Sequence, residues 1–147
     1  MHLQFALFAD AANVSQEGKL NILGVFDALQ VAGLPSIHPR CTFVLRLKAT
    51  GEDEGDHEVG LAWVNPEGAV LWSSTGHLQV GPAPEGADGV DLPLIAQLDL
   101  PLDQPGLYRM QVSVDGTEMA LVPMHVALPA LAGAFPLAPS APQGLVS

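Results

Sequence analysis

The chain is predicted to be all-β: a two-sheet antiparallel β-sandwich, immunoglobulin-like or related, with about eight strands. Three observations predict it. Apolar and polar residues alternate over most of the chain, which is the period of a strand with one buried face. Turn signals rich in Gly, Pro, Asn and Asp separate these runs at near-regular spacing. No segment combines a helical apolar period with capping residues at its ends.

The first run, HLQFALFADAANV, sets Leu3, Phe5 and Leu7 on one side and His2, Gln4 and Ala6 on the other. Ser15-Gln16-Glu17-Gly18 turns the chain. Gly18 supplies a backbone conformation that other residues resist, and Ser15 and Gln16 supply local hydrogen bonds. The return strand is KLNILGVFDALQ, in which Gly24 marks a bulge or a close backbone approach. Next, CTFVLRLK points Cys41, Phe43, Leu45 and Leu47 inward and Thr42, Val44, Arg46 and Lys48 outward. The acidic stretch GEDEGDHE, residues 51–58, connects to a strand that aligns Val59, Leu61 and Trp63. Asn65-Pro66-Glu67-Gly68 turns into AVLWSSTGHLQV. Pro93 and Pro123 lie inside VDLPLIAQLDL and EMALVPMHV, which marks these as edge or bulged strands. Pro105-Gly106 opens GLYRMQVSVD, where Tyr108, Met110, Val112 and Val114 oppose Arg109, Gln111 and Ser113. Asp115-Gly116 is the strongest hairpin signal, because a type I′ turn needs positive φ at both central positions.

The sandwich is expected to occupy residues 1–128. Residues 129–147, PALAGAFPLAPSAPQGLVS, carry no charged side chain and read as an extended tail, with Leu131, Phe135, Leu137 and Leu145 as its available anchors.

Composition narrows the partners. Five Lys and Arg face sixteen Asp and Glu, a formal charge of −11. Nucleic acid and anionic membrane surfaces need clustered cations, and Lys19, Arg40, Arg46, Lys48 and Arg109 are scattered along the chain. The single cysteine, Cys41, excludes an internal disulfide framework. His2, Gln4 and Asp10 interrupt any signal-peptide pattern, and no apolar run reaches membrane-spanning length, so a cytoplasmic protein is expected.

Several constellations could carry chemistry. Asp10, Asn13, Ser15 and Glu17 offer the hard oxygen ligands that calcium prefers, although turns use the same residues for backbone reasons. Glu52, Asp53, Glu54, Asp56, His57 and Glu58 form the densest acidic run, either a cation loop or a solvated connection. The metal-ligand candidates from these two stretches are Asp10, Asn13, Glu17, Asp53, Asp56 and His57. His38 precedes Cys41 by three residues, the pairing a thiolate nucleophile needs, yet Cys41 falls on the inward phase of its strand. His2, His77 and His125 lack metal-ligand spacing, and Ser73 and Ser74 lack a nucleophile-elbow context. Trp63 and Trp72 flank a turn and could stack on a sugar, but the phase of Trp63 sends it to the core. No Gly-rich loop opens a helix, so no phosphate cradle is expected.

FALFADAANVSQEGKLNILGVFD, LPSIHPRCTFVLRL and QPGLYRMQVSVDGTEMALVPMHV together resemble a bacterial family of small stand-alone proteins catalogued as a domain of unknown function. The resemblance spans residues 3–127. It implies a β-sandwich and assigns no activity, cofactor or functional residue.

The expected function is that of a non-enzymatic binding or assembly module, without a cofactor, that works through a protein partner or self-association. Outward apolar residues such as Val44, Ala62 and Val64 would supply the contact, and a symmetric homodimer is its commonest form. The uncharged tail could extend that contact onto a neighbouring subunit. The alternative is a small-ligand or cation-binding sandwich using the loops at 10–17 or 51–58. A hydrolase is the third reading and would need acid, base and nucleophile in one cleft.

Overall fold

The computed structural model describes residues 1–129, and the tail from residue 130 onward, with its four anchor residues, lies outside the described residues. The chain runs through β1 (His2–Val14), β2 (Leu20–Phe26), β3 (Ala28–Gln30), β4 (Ser36–Ala49), a single 3-10 turn (Gly51–Asp53), β5 (Gly55–Val64), β6 (Val70–Val80), β7 (Val90–Leu102), β8 (Gly106–Val114) and β9 (Thr117–Ala127). A four-stranded sheet, β2-β1-β4-β7, faces a five-stranded sheet, β3-β9-β8-β5-β6. Every pairing is antiparallel except β3 with β9. The two sheets form a sandwich, in which a buried Trp on β5 packs against a Tyr at the start of the penultimate strand, as in immunoglobulin-like or related folds.

The ninth strand comes from splitting the predicted run KLNILGVFDALQ. Asp27 interrupts it, so residues 20–26 pair with β1 and residues 28–30 cross to pair with β9 in the other sheet. Strands that change sheets are how a sandwich closes its corners.

Turn chemistry follows the residue types. Asp115 and Gly116 have φ of 51° and 81°, the two positive values of a type I′ turn. The turns at Ser15–Lys19 and Asn65–Ala69 share one design. Gly18 and Gly68 take φ of 83° and 92°, and the side chain of the first residue accepts the backbone N–H of the fifth. Pro93 lies on β7, a true edge, while Pro123 lies on β9 below the short reach of β3.

The core is the inward face predicted for β4, β5 and β8: Cys41, Phe43, Leu45 and Leu47 from β4, Trp63 from β5, and Tyr108, Met110, Val112 and Val114 from β8. In β1 the predicted side is wrong for half the strand. A bulge at Gln4 shifts the register between Leu3 and Phe5. Leu3 still packs inward, but past the bulge Ala6 and Phe8 face the core, while Phe5 and Leu7 pair with Arg46 and Val44 on the outer phase. One extra residue reverses every later side chain.

After Ala9, β1 leaves β4 and continues paired with β2 alone. Thr42, on the outer face, donates its hydroxyl to the Asp10 carbonyl. The hairpin tip then comes back over that face, so that Lys19, Leu20 and Ile22 line one cleft with Phe5, Arg46 and Pro93. Val44, expected on an exposed outer surface, is fully buried there and is closed to any partner. Opposite Asp10 on β2, Gly24 takes φ of 71° with the Asp10 carboxylate lying directly over it, the close approach its position suggested.

Candidate functional site

The acidic candidates are dispersed. Asn13 accepts a hydrogen bond from the Asn21 side chain at 2.9 Å, Asp10 sits over Gly24, and Glu17 is exposed in its turn. In the second stretch the connection is shorter than predicted, because Asp56, His57 and Glu58 already belong to β5. Asp53 accepts from the backbone and hydroxyl of Thr50, which caps the 3-10 turn, and lies 2.9 Å from the Met1 amino group. Asp56 is exposed. Among the described residues no three His, Cys, Asp or Glu side chains converge as a metal set.

His57 is the most engaged of the candidates. Its Nδ1 lies 2.6 Å from the Asp115 carboxylate and its Nε2 contacts the Asp53 carbonyl. Both partners are acceptors, so the doubly protonated ring satisfies both. The Asp115 hydrogen bond, then the Asp53 carbonyl, hold the ring above the ordinary histidine value against the opposing effect of burial. Asp115 is in turn held low, first by the Glu58 backbone N–H and then by His57.

These shifts set a pH dependence. His57 binds its proton more tightly when folded, so its stabilisation is fully present below about pH 6.5 and is lost as pH rises through its higher native value. Asp53, Asp91, Asp103 and Asp115 are all held low, with Thr50, Arg46, Asn65 and Glu58 respectively the leading partners. Their stabilisation is present above about pH 4 and is lost as pH falls. Urea unfolding of the wild type and His57→Gln should show a stability gap that shrinks between about pH 6 and 9. A gap that stays constant over that range would contradict this role for His57.

The candidate nucleophile pair is not assembled. The His38 ring packs edge-on against Phe26 at 6.0 Å, while Cys41 Sγ lies 3.9 Å from the Thr42 carbonyl. Burial, with a smaller contribution from Asp10, pushes the Cys41 thiol up to about 11, so little thiolate forms near neutrality. His2, His77 and His125 stand on β1, β6 and β9 and belong to no common cluster. Trp63 is fully buried, and Trp72 faces it across β5 and β6.

The structure draws attention to another place: the open side of the sandwich, between the edge strands β6 and β7. An apolar slot of about 250 Å³ runs inward there. Its walls include Leu45, Leu61, Trp72, Leu78 and Leu94. It exists because three inward positions hold small residues, namely Ser74 and Gly76 on β6 and Ala96 on β7. These gaps in the alternation are visible in AVLWSSTGHLQV and VDLPLIAQLDL and are the signal that could have located it. From Ser73 to His77 the edge of β6 is exposed at every residue.

Among the described residues no helix is long and apolar enough to cross a membrane. No curated protein matches the chain. A family model matches residues 4–127, nearly the whole sandwich and including both the N-terminal hairpin and the closing β8–β9 hairpin. The chain therefore belongs to DUF6941, a family of unknown function.

Proposed function

We propose that the protein is a non-enzymatic assembly module that joins a second copy of itself along β6. One observation carries the reading: of the four edge strands, β6 alone is long and carries no device against pairing. β2 is broken by the left-handed Gly24, and β3 has three residues. β7 carries Pro93, Pro101, Asp91 and Asp99. β6 spans eleven residues without proline or a charged side chain, and from Trp72 to Val80 it pairs with β5 in unbroken register. Natural sheets normally blunt such an edge.

Charge supports the same partner. Two chains of −11 repel each other over most approaches, and an uncharged strand is where that repulsion is smallest. A two-fold axis at Thr75 would set Ser73 opposite His77 and bring no like charges together. The two five-stranded sheets would then form one continuous sheet, with the second copy's strand beside the mouth of the slot. We propose a cytoplasmic location, with which the single buried thiol of Cys41 is compatible.

Light scattering on the eluting protein should give the mass of two chains. Thr75→Lys, an exposed charge on the edge, should return it to one chain with the melting temperature of the fold retained. A wild-type mass of one chain at high concentration rejects self-association, as does a dimer unaffected by Thr75→Lys.

A further inference from the structure

We infer that the cleft between the β1–β2 turn and the outer face of the four-stranded sheet binds a small organic anion with an apolar body, such as a medium-chain carboxylate. The cleft encloses about 400 Å³, within the range of small-molecule sites. It is separate from β6, on the opposite sheet.

The distribution of cations carries the argument. The chain has five Lys and Arg against sixteen acids, and three of the five meet here. Lys19 and Arg46 line the cleft, and Lys48 Nζ lies 3.6 Å from the lining carboxylate of Asp91. Asp91 also accepts from Arg46 Nη2 at 2.6 Å. Two cations thus pair with one carboxylate, while Lys19 lines the same cleft and forms no ion pair among the described residues. Arg46 spends one N–H on Asp91 and keeps further donors for a second carboxylate.

The remaining walls choose the body of the ligand. Phe5, Leu20, Ile22 and Pro93 give the cleft an apolar side, so a bare inorganic anion would leave that surface unused. Phe5 is available only because the Gln4 bulge turns it outward, and Lys19, Leu20 and Ile22 arrive only because the hairpin folds back. On a surface of strongly negative net charge, this local excess of cations is what an anion would be drawn to.

Calorimetric titration of the full chain with sodium octanoate tests this, with sodium phosphate and octanol as probes of head and tail alone. Octanoate should bind with a dissociation constant of about 1 mM or tighter, and each half-probe at least about tenfold more weakly. Lys19→Gln should weaken octanoate about tenfold, while Thr75→Lys at β6 should leave it unchanged. Absence of octanoate binding overturns the proposal. So does binding that survives Lys19→Gln, which would place the ligand elsewhere, or phosphate binding as tight as octanoate.

Discussion

Replacement of Trp63 by alanine should lower the free energy of unfolding by about 3–5 kcal/mol, the range for removing a large aromatic side chain from a packed core. Trp63 is fully buried. It stacks on Tyr108 with ring centroids 5.1 Å apart and meets Phe8 edge-on at 5.9 Å. Its Nε1 donates to the Pro101 carbonyl at 2.8 Å, tying the five-stranded sheet to β7 of the other. Alanine would leave a cavity between the sheets and an acceptor without its donor. For a domain of this length the melting temperature should fall by roughly 10–20 °C. Trp63→Phe keeps most of the volume but loses the N–H and one ring of the indole, so it should cost about 1–3 kcal/mol. Trp72 remains as the fluorescent reporter in both variants. A loss below about 1 kcal/mol in Trp63→Ala would mean that Trp63 does not hold the sheets together.

Tyr108→Phe should cost about 1–3 kcal/mol through one oxygen atom. The Tyr108 hydroxyl accepts the backbone N–H groups of Asp103 and Gln104, each at 2.9 Å. Its single proton can go to Asp103 Oδ1 at 2.8 Å or to the Gln104 carbonyl at 2.6 Å. This is the tyrosine-corner arrangement of immunoglobulin-like sandwiches. Here it reaches further, because Asn65 Nδ2 donates to the other Asp103 oxygen and binds the corner to the β5–β6 turn. Phenylalanine would leave both N–H groups without this acceptor and remove one of the donors that hold Asp103 low. Amide exchange at residues 103 and 104 should accelerate along with the loss of stability. Unchanged exchange at both would refute the assignment.

The parts of this fold written into the sequence are those decided within a few residues. Asp115-Gly116, Gly18 and Gly68 adopt the positive φ that their turns require, and the Cys41–Leu47 alternation faces the core as written. What escaped depends on distant partners. The Gln4 bulge has no local signal and reverses Phe5 and Leu7. Asp27 divides one apparent strand because Ala28–Gln30 finds its partner near residue 126. Val44 reads as surface because nothing nearby shows that its outer face is buried. The candidate sites divide in the same way. Acidic runs attract attention in a sequence, but their side chains here cap a turn, lie over a glycine or face solvent. Small residues at inward positions, and cations far apart along the chain, acquire meaning only once β6 meets β7 and the hairpin tip meets Arg46.

The parallel seam between β3 and β9 also sets an order of events during synthesis. Every strand of the four-stranded sheet has been made by residue 102, whereas Ala28 pairs with His125, 97 positions later. At translation rates of about 5–20 residues per second, the β3 segment waits on the order of 5–20 s for its neighbour. A ribosome that stalls in the region encoding β9 would therefore hold out a nascent chain whose second sheet lacks β9 and the β3 strand that pairs with it, leaving the apolar face of the first sheet only partly covered, a species for chaperones rather than for assembly.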